Sequence, residues 1–244
     1  MKKGIEDKVK EIIDGEMEVT DVTYVPDLEN TKLTFGNTGL RFEATTLFID
    51  MRGSTKTLNK HNRRSVAKIH KAYFHTIVTI VKSLSGEVRS FNGDGMLCFF
   101  QGTTKQTLTN AVIAAMKIKY MLSNNESKVK KSLEKYSSVD FGVGLDYGKI
   151  ICTKVGTSGT NNRDIVWIGN AVNKSVKIGD TRKADEHIGI SSFVYENLLD
   201  NAKYHITKDH WGNEVKNNMW MIDYINYNDQ IEAYYKTNYH WIVS

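Results

Sequence analysis

The chain is short of the residues that punctuate or staple a fold. Its 244 residues hold one proline, Pro26, so proline linkers cannot mark domain boundaries. Its two cysteines, Cys98 and Cys152, lie in strand-like apolar runs and read as buried free thiols, not as a disulfide or metal site. No apolar run approaches the ~18 to 20 residues of a membrane span. Met1-Lys2-Lys3-Gly4 is followed by no apolar stretch, so no signal peptide is expected. A cytoplasmic protein without membrane insertion is expected. The net charge is +5, but the lysines are dispersed. Their one cluster, Lys128-Val129-Lys130-Lys131, is flanked by Glu126 and Glu134 and reads as a solvated loop or helix end. No basic stripe with interleaved aromatics is present, so no nucleic-acid partner is expected.

Apolar residues make up 40% and charged residues 25%, ordinary values for a soluble globular chain of one generous domain or one domain with appendages. Residues 1–40 form an N-terminal extension, with a short helix over Ile5–Ile13 stopped by Gly15 and an extended segment from Tyr24 to Gly39. The main domain spans 41–200. It opens with a buried strand, Ala44–Asp50, broken by Gly53-Ser54-Thr55. Val66, Ile69, Tyr73, Ile77, Ile80 and Leu84 recur at helical spacing, and Ser85-Gly86 ends that helix. Strands Val88–Phe91 and Met96–Phe100 flank Asn92-Gly93-Asp94-Gly95, a hairpin signal that points to a type I′ turn. A second helix covers about Thr104–Leu122. Strands Val139–Leu145 and Ile150–Val155 follow, with Asp146-Tyr147-Gly148 suggesting a further hairpin between them. A strand over Ile165–Ile168, a helix over about Asn170–Ile178, a strand at Ile188–Ile190 and a short helix to Leu199 complete the domain. Residues 201–244, rich in aromatics, form a capping segment. The order β-α-β-β-α-β predicts an α+β fold with a ferredoxin-like core sheet and helices on one face.

Two of these strands deliver an aspartate to their ends. If the first strand and the hairpin are neighbours, Asp50 and Asp94 meet at one edge of the sheet as hard-oxygen ligands for one or two divalent cations. Such a pair suits in-line displacement at phosphorus. Each aspartate has a blander reading, as a turn former or helix cap. Gly53, Ser54 and Thr55, between strand and helix, could cradle a phosphate with their backbone N–H groups. Arg52 occupies the position where a haloacid-dehalogenase-type phosphatase needs a second aspartate, and no Walker A loop is present. On the helix after Gly169, Asn173 and Lys177 are four apart and project from one face. They are either a solvated polar face or an amide that orients a ribose and a cation that meets phosphate charge.

Taken together, Phe48-Ile49-Asp50 with Gly53-Ser54-Thr55, Asn92-Gly93-Asp94-Gly95 and Gly169-Asn170-Ala171-Val172-Asn173 resemble the class III nucleotidyl cyclases over roughly residues 44–200. The resemblance implies a head-to-tail homodimer with two sites at its interface. It implies that Asp50, Asp94 and the Met51 backbone carbonyl bind two Mn²⁺ or Mg²⁺ ions. It further implies that Asn173 of the opposite protomer orients the ribose and that Lys177 stabilises the pentavalent phosphorus, with Arg52 assisting.

The chain departs from that family in three places. Lys177 replaces an arginine and brings a point charge in place of a planar fork. Ser90, beside Arg89, replaces the lysine of adenylyl cyclases. Val166 replaces the second base-reading polar residue, with Asp164 two positions earlier. A site stripped of these hydrogen-bonding partners loses selectivity for adenine. The departures, together with Arg52 and the segment from Val25-Pro26-Asp27 to Leu33-Thr34-Phe35-Gly36, resemble the bacterial pyrimidine cyclases of antiphage signalling (Pycsar). That branch makes cyclic UMP or cyclic CMP, which activates a separate effector. Base choice would lie with Ser90, Arg89 and Val166, or with the N-terminal segment, and the Ser90 hydroxyl suits uracil and cytosine alike. The alternatives are a conventional adenylate or guanylate cyclase, a degenerate cyclase-fold nucleotide-binding regulator, or a palm-type polymerase that shares the metal pair.

Overall fold

A computed structural model describes residues 1–53, 61–157, 159, 161–182 and 185–243. The core is set by two long strands, β2 (Thr38–Arg52) and β5 (Asp140–Gly156), which run antiparallel in unbroken register from Leu40↔Cys152 to Arg52↔Asp140. β2 pairs on its other side with β4 (Gly95–Gln101), and β4 pairs with β3 (Glu87–Asn92). The resulting order β5-β2-β4-β3 is the ferredoxin-like arrangement that the sequence pattern predicts.

β5 corrects one expectation. Residues 146–148 do not turn; they continue as strand opposite Ala44 to Thr46 of β2. Tertiary contacts override the turn composition. Asp146 is buried and hydrogen-bonded to Ser191, and Tyr147 donates to Glu43 Oε2 at 2.6 Å. Burial pushes the Asp146 carboxyl above its ordinary range, and the Ser191 hydroxyl partly offsets that shift.

Strand alternation sorts the core onto two faces. Leu47, Ile49 and Met51 of β2, Met96, Cys98 and Phe100 of β4, and Phe141, Val143 and Leu145 of β5 face helices α2 (Arg63–Ser83) and α3 (Lys105–Ser123). Side chains that accept backbone N–H bonds start both helices: Asn62 from Ser65, and Thr104 from Thr107. The two long helices share one face, as expected. A short helix, α4 (Lys128–Glu134), follows α3. The opposite face is crossed by α5 (Asn170–Asp180), after strand β6 (Arg163–Ile168) has paired with the far end of β5.

α5 sits close because of two glycines. A Cβ at Gly142 would lie 2.3 Å from the Gly179 carbonyl, and one at Gly144 would lie 1.9 Å from the Ser175 carbonyl. Helix backbone therefore rests on strand backbone, an approach only glycine permits. Beside it, Phe99 packs 5.6 Å from Phe42 and 4.7 Å from Trp167, each pair worth about 0.5–1.5 kcal/mol beyond its area.

The N-terminal extension begins with α1 (Lys2–Asp14), none of whose residues is buried, and β1 (Glu18–Asp21), which runs parallel to β2. The segment after it buries Val25 and Leu33 on the α5 side of the sheet. At the C-terminal end, β7 (Ile188–Ser191) pairs with β5, and the hairpin β10 (Met221–Tyr227) and β11 (Gln230–Thr237) extends the same sheet. Helices α6 (Ser192–Glu196) and α7 (Asp200–Lys203) and the separate hairpin β8 (Tyr204–Lys208) and β9 (Glu214–Asn218) lie between. Both cysteines are buried free thiols. Among the described residues, no helix is long and apolar enough to cross a membrane.

Candidate active site

The ladder between β2 and β4 ends by pairing Asp50 with Gly95, so Asp94 stands one residue from Asp50's partner. Asn92 pairs with Gly95 across the hairpin, leaving Gly93 and Asp94 as its two-residue loop. Gly93 has φ 63°, whereas Asp94 does not enter the left-handed region. A positive φ at the first loop position alone is the pattern of a type II′ turn, which corrects the expected type I′. Asp94 is thereby held without backbone strain.

The Asp94 charge bears on the Asp50 carboxyl. The Asp50 carboxyl is pushed up to about 6, first by burial, then by Asp94 and then by Asp180 at the end of α5; Arg52 offsets part of this. Asp180 is an acid that the sequence reading missed; its only signal is its place one helix length after Gly169. Arg52 donates from Nη2 to the Gly179 carbonyl at 3.1 Å and lies 4.0 Å from Asp140. It ties the C-terminal end of α5 to the edge that carries Asp50. Met51 turns its side chain into the core, which leaves only its backbone oxygen as a donor.

Among the described residues, no group of three or more His, Cys, Asp and Glu side chains is placed to hold a metal. The donor set on offer is smaller: two carboxylates, with backbone oxygen beside them. Oxygen donors carrying crowded negative charge in a half-buried site fit a hard divalent cation such as Mg²⁺ or Mn²⁺.

Beside the pair lies a groove of about 140 Å³, walled by Phe48 and Leu97 of the sheet and Val172 and Val176 of α5. Ser90 and Asn92 of β3 supply its polar lining. The remaining expected residues fall elsewhere. Gly53 has φ 68° and turns the chain away after β2, while Ser54 and Thr55 lie outside the described residues. Val166 sits on β6 opposite Thr153 and is 41% exposed; Asp164 and Ile168 share its exposed face. Asn173 and Lys177 are exposed on the outer side of α5, opposite the buried Val172, Ser175 and Ile178. Arg89 does not line the groove; its guanidinium is bound to backbone carbonyls of the N-terminal segment. One protomer thus assembles Asp50, Asp94, Ser90 and the groove, and leaves Asn173, Lys177 and Val166 facing outward.

A ferredoxin-like sheet whose two middle strands bring Asp50, near the end of β2, beside Asp94, in the turn that leads into β4, is compatible with a class III nucleotidyl cyclase domain. The sequence model described as "Adenylate and Guanylate cyclase catalytic domain" matches residues 41–225, and the chain belongs to that family. It is 32% identical over 205 residues to a uridylate cyclase of Xanthomonas perforans, covering 82% of this chain and 85% of that protein. It is 29% identical over 220 residues to a uridylate cyclase of Burkholderia cepacia, covering 88% and 92%. The crystal structure of the guanylyl cyclase Cya2 superposes with a TM-score of 0.66 at 19% identity, covering 82% of this chain and 94% of that one, a likeness of fold alone.

Proposed function

We propose that the protein converts UTP to 3′,5′-cyclic UMP and pyrophosphate, with CTP its nearest competing substrate. The observation that carries this reading is Ser90, turned into a small, largely apolar groove directly beside the Asp50–Asp94 pair. A single hydroxyl can donate to or accept from a pyrimidine edge. Phe48, Val172 and Val176 give the groove its apolar walls. The uridylate cyclases among its relatives support the same base.

In this reading the ribose 3′-oxygen attacks the α-phosphorus, loses its proton, and displaces pyrophosphate. Asp50, Asp94 and the Met51 carbonyl would hold two Mn²⁺ or Mg²⁺ ions, which supply charge neutralisation at the phosphates and a more acidic 3′-hydroxyl. Asn173 from a second copy orients the ribose, and Lys177 of that copy meets the charge that builds on the α-phosphate oxygens. Their outward placement on α5 supports a site completed between two copies. Arg52 offsets negative charge beside Asp50 and fixes the end of α5. The backbone N–H groups of the Gly53-Ser54-Thr55 sequence would be the phosphate cradle. Following the branch that the sequence resembles, the cyclic nucleotide is a messenger of antiphage defence read by a separate effector. That role is checked by whether cells carrying the gene with its neighbours resist phage and lose resistance with Asp94→Ala.

The biochemical test is direct. Purified protein is incubated with each of the four NTPs and Mn²⁺, and products are resolved by chromatography and mass. Cyclic UMP as the main product is expected. Cyclic AMP or cyclic GMP as the main product, or no cyclic nucleotide at all, would overturn the assignment.

A further inference from the structure

β3 does not pair evenly with β4. Val88 faces Cys98, and the next pair is Ser90 with Leu97, so Arg89 is an extra residue with no partner. Two residues on one strand against one on the other is a β-bulge. Because strand side chains alternate with a period of two, one inserted residue exchanges the two faces for everything beyond it.

The packing shows the exchange. Val88 packs into the core under α2 and α3, as does its partner Cys98. Phe91 lies on that same side, 5.3 Å from Phe74 of α2. Ser90 and Asn92 consequently face the groove with Leu97. Without the bulge, Ser90 and Asn92 would follow Val88 onto the helix side and Phe91 would enter the groove. The polar lining of the groove therefore depends on one irregular residue.

Arg89 holds that irregularity. Its Nε donates to the Pro26 carbonyl at 2.7 Å and its Nη2 to the Val25 carbonyl at 3.0 Å. Its Nη1 donates to Glu87 Oε2 at 2.8 Å and to the Val88 carbonyl at 3.1 Å. The side chain is 18% exposed, so these bonds are made largely out of water. Their acceptors are anchored in turn, because Val25 is buried against Phe42, Phe99 and Val172. The bulge is clamped from both sides, by its own strand and by the N-terminal segment.

We propose that Arg89 is a positioning residue for base selectivity: by locking the β3 bulge to Val25 and Pro26 it turns Ser90 and Asn92 into the groove. The inference rests on the reading that this groove takes the base. It assigns the N-terminal segment a part in substrate choice through the bulge, since Val25 and Pro26 do not themselves line the groove.

The test uses the full chain and compares Arg89→Ala, Ser90→Ala and the double variant. Selectivity is read as the ratio of kcat/KM for UTP to that for ATP. Arg89→Ala is expected to lower the ratio by roughly tenfold, the worth of about one net hydrogen bond. The double variant is expected to lose clearly less than the product of the two single losses, because Arg89 acts partly through Ser90 and only the share carried by Asn92 remains. Arg89→Lys, which keeps the charge and fewer donors, falls between wild type and alanine and serves if Arg89→Ala does not fold. Hydrogen exchange of the nucleotide-free protein gives a readout independent of turnover: Arg89→Ala or Arg89→Lys raises exchange over residues 88–92 more than over β2 and β5. An unchanged ratio, losses that multiply in the double variant, or unchanged exchange would overturn the proposal. Wild-type protein that makes no cyclic pyrimidine nucleotide would refute the proposed function instead, and the exchange data would still decide the clamp.

Discussion

Asp50 faces Gly95 across the β2–β4 ladder, and a Cβ at position 95 would sit 3.0 Å from Asp50 Oδ1. The glycine therefore leaves the carboxylate its position, and this is a separate duty from the turn chemistry of Gly93. Gly95→Ala is predicted to fold, since Gly95 is not in the left-handed region, but to displace the Asp50 carboxylate. A fall in turnover of at least tenfold, with the unfolding temperature changed by only a few degrees, is expected from a shift of reacting groups on the ångström scale. Assay and thermal melt on the same preparation check it.

Asp50 also makes stability depend on pH. Its carboxyl rises from an ordinary 3.8 to about 6 in the fold. The folded state therefore binds more protons than the unfolded chain between those two values. Stability is highest below about pH 4 as far as this group is concerned, and is lost as pH rises through about 6. Asp50→Asn removes that loss. The metal-free variant should melt higher than wild type at pH 7.5, with the difference vanishing near pH 4. Adding Mn²⁺ should raise the melting temperature of wild type and not of the variant.

The outward placement of Asn173 and Lys177 leads to a complementation test. Asp50→Ala and Lys177→Ala should each be inactive alone. Mixed and allowed to exchange subunits, they should recover about a quarter of wild-type activity, since half the dimers are mixed and each mixed dimer has one intact site. No recovery after verified exchange would mean that each site is built within one chain.

Gly144 tests how α5 is seated. Any Cβ there meets the Ser175 carbonyl at 1.9 Å, in backbone that cannot swing aside. Gly144→Ala should cost about 1–3 kcal/mol, the usual range for overpacking, measured as a lower denaturation midpoint.

Much of this was legible in the sequence because the signals were local. The apolar run Ala44–Asp50, the helical spacing of Val66 to Leu84 and the Asn-Gly-Asp-Gly turn each encode their own element, and the two aspartates follow from them. The long-range features were not legible. Asp146-Tyr147-Gly148 has turn composition, yet pairing with β2 and the Ser191 hydroxyl keep it extended. Asp180 nears Asp50 only through the docking of α5. Phe141-Gly142-Val143-Gly144 carried a readable sign of close backbone approach, alternating glycine in a strand, that the sequence reading passed over. The bulge at Arg89 has no signature in the chain, since it depends on carbonyls more than sixty residues earlier.

The central claim is that the paired carboxylates form the reacting centre, and single substitution of Asp94 tests it most directly. Asp94→Ala, assayed with UTP and Mn²⁺ beside wild type, should abolish turnover while its melt and far-ultraviolet spectrum stay those of a folded protein. Cyclic UMP formed at near the wild-type rate by that variant would contradict the account.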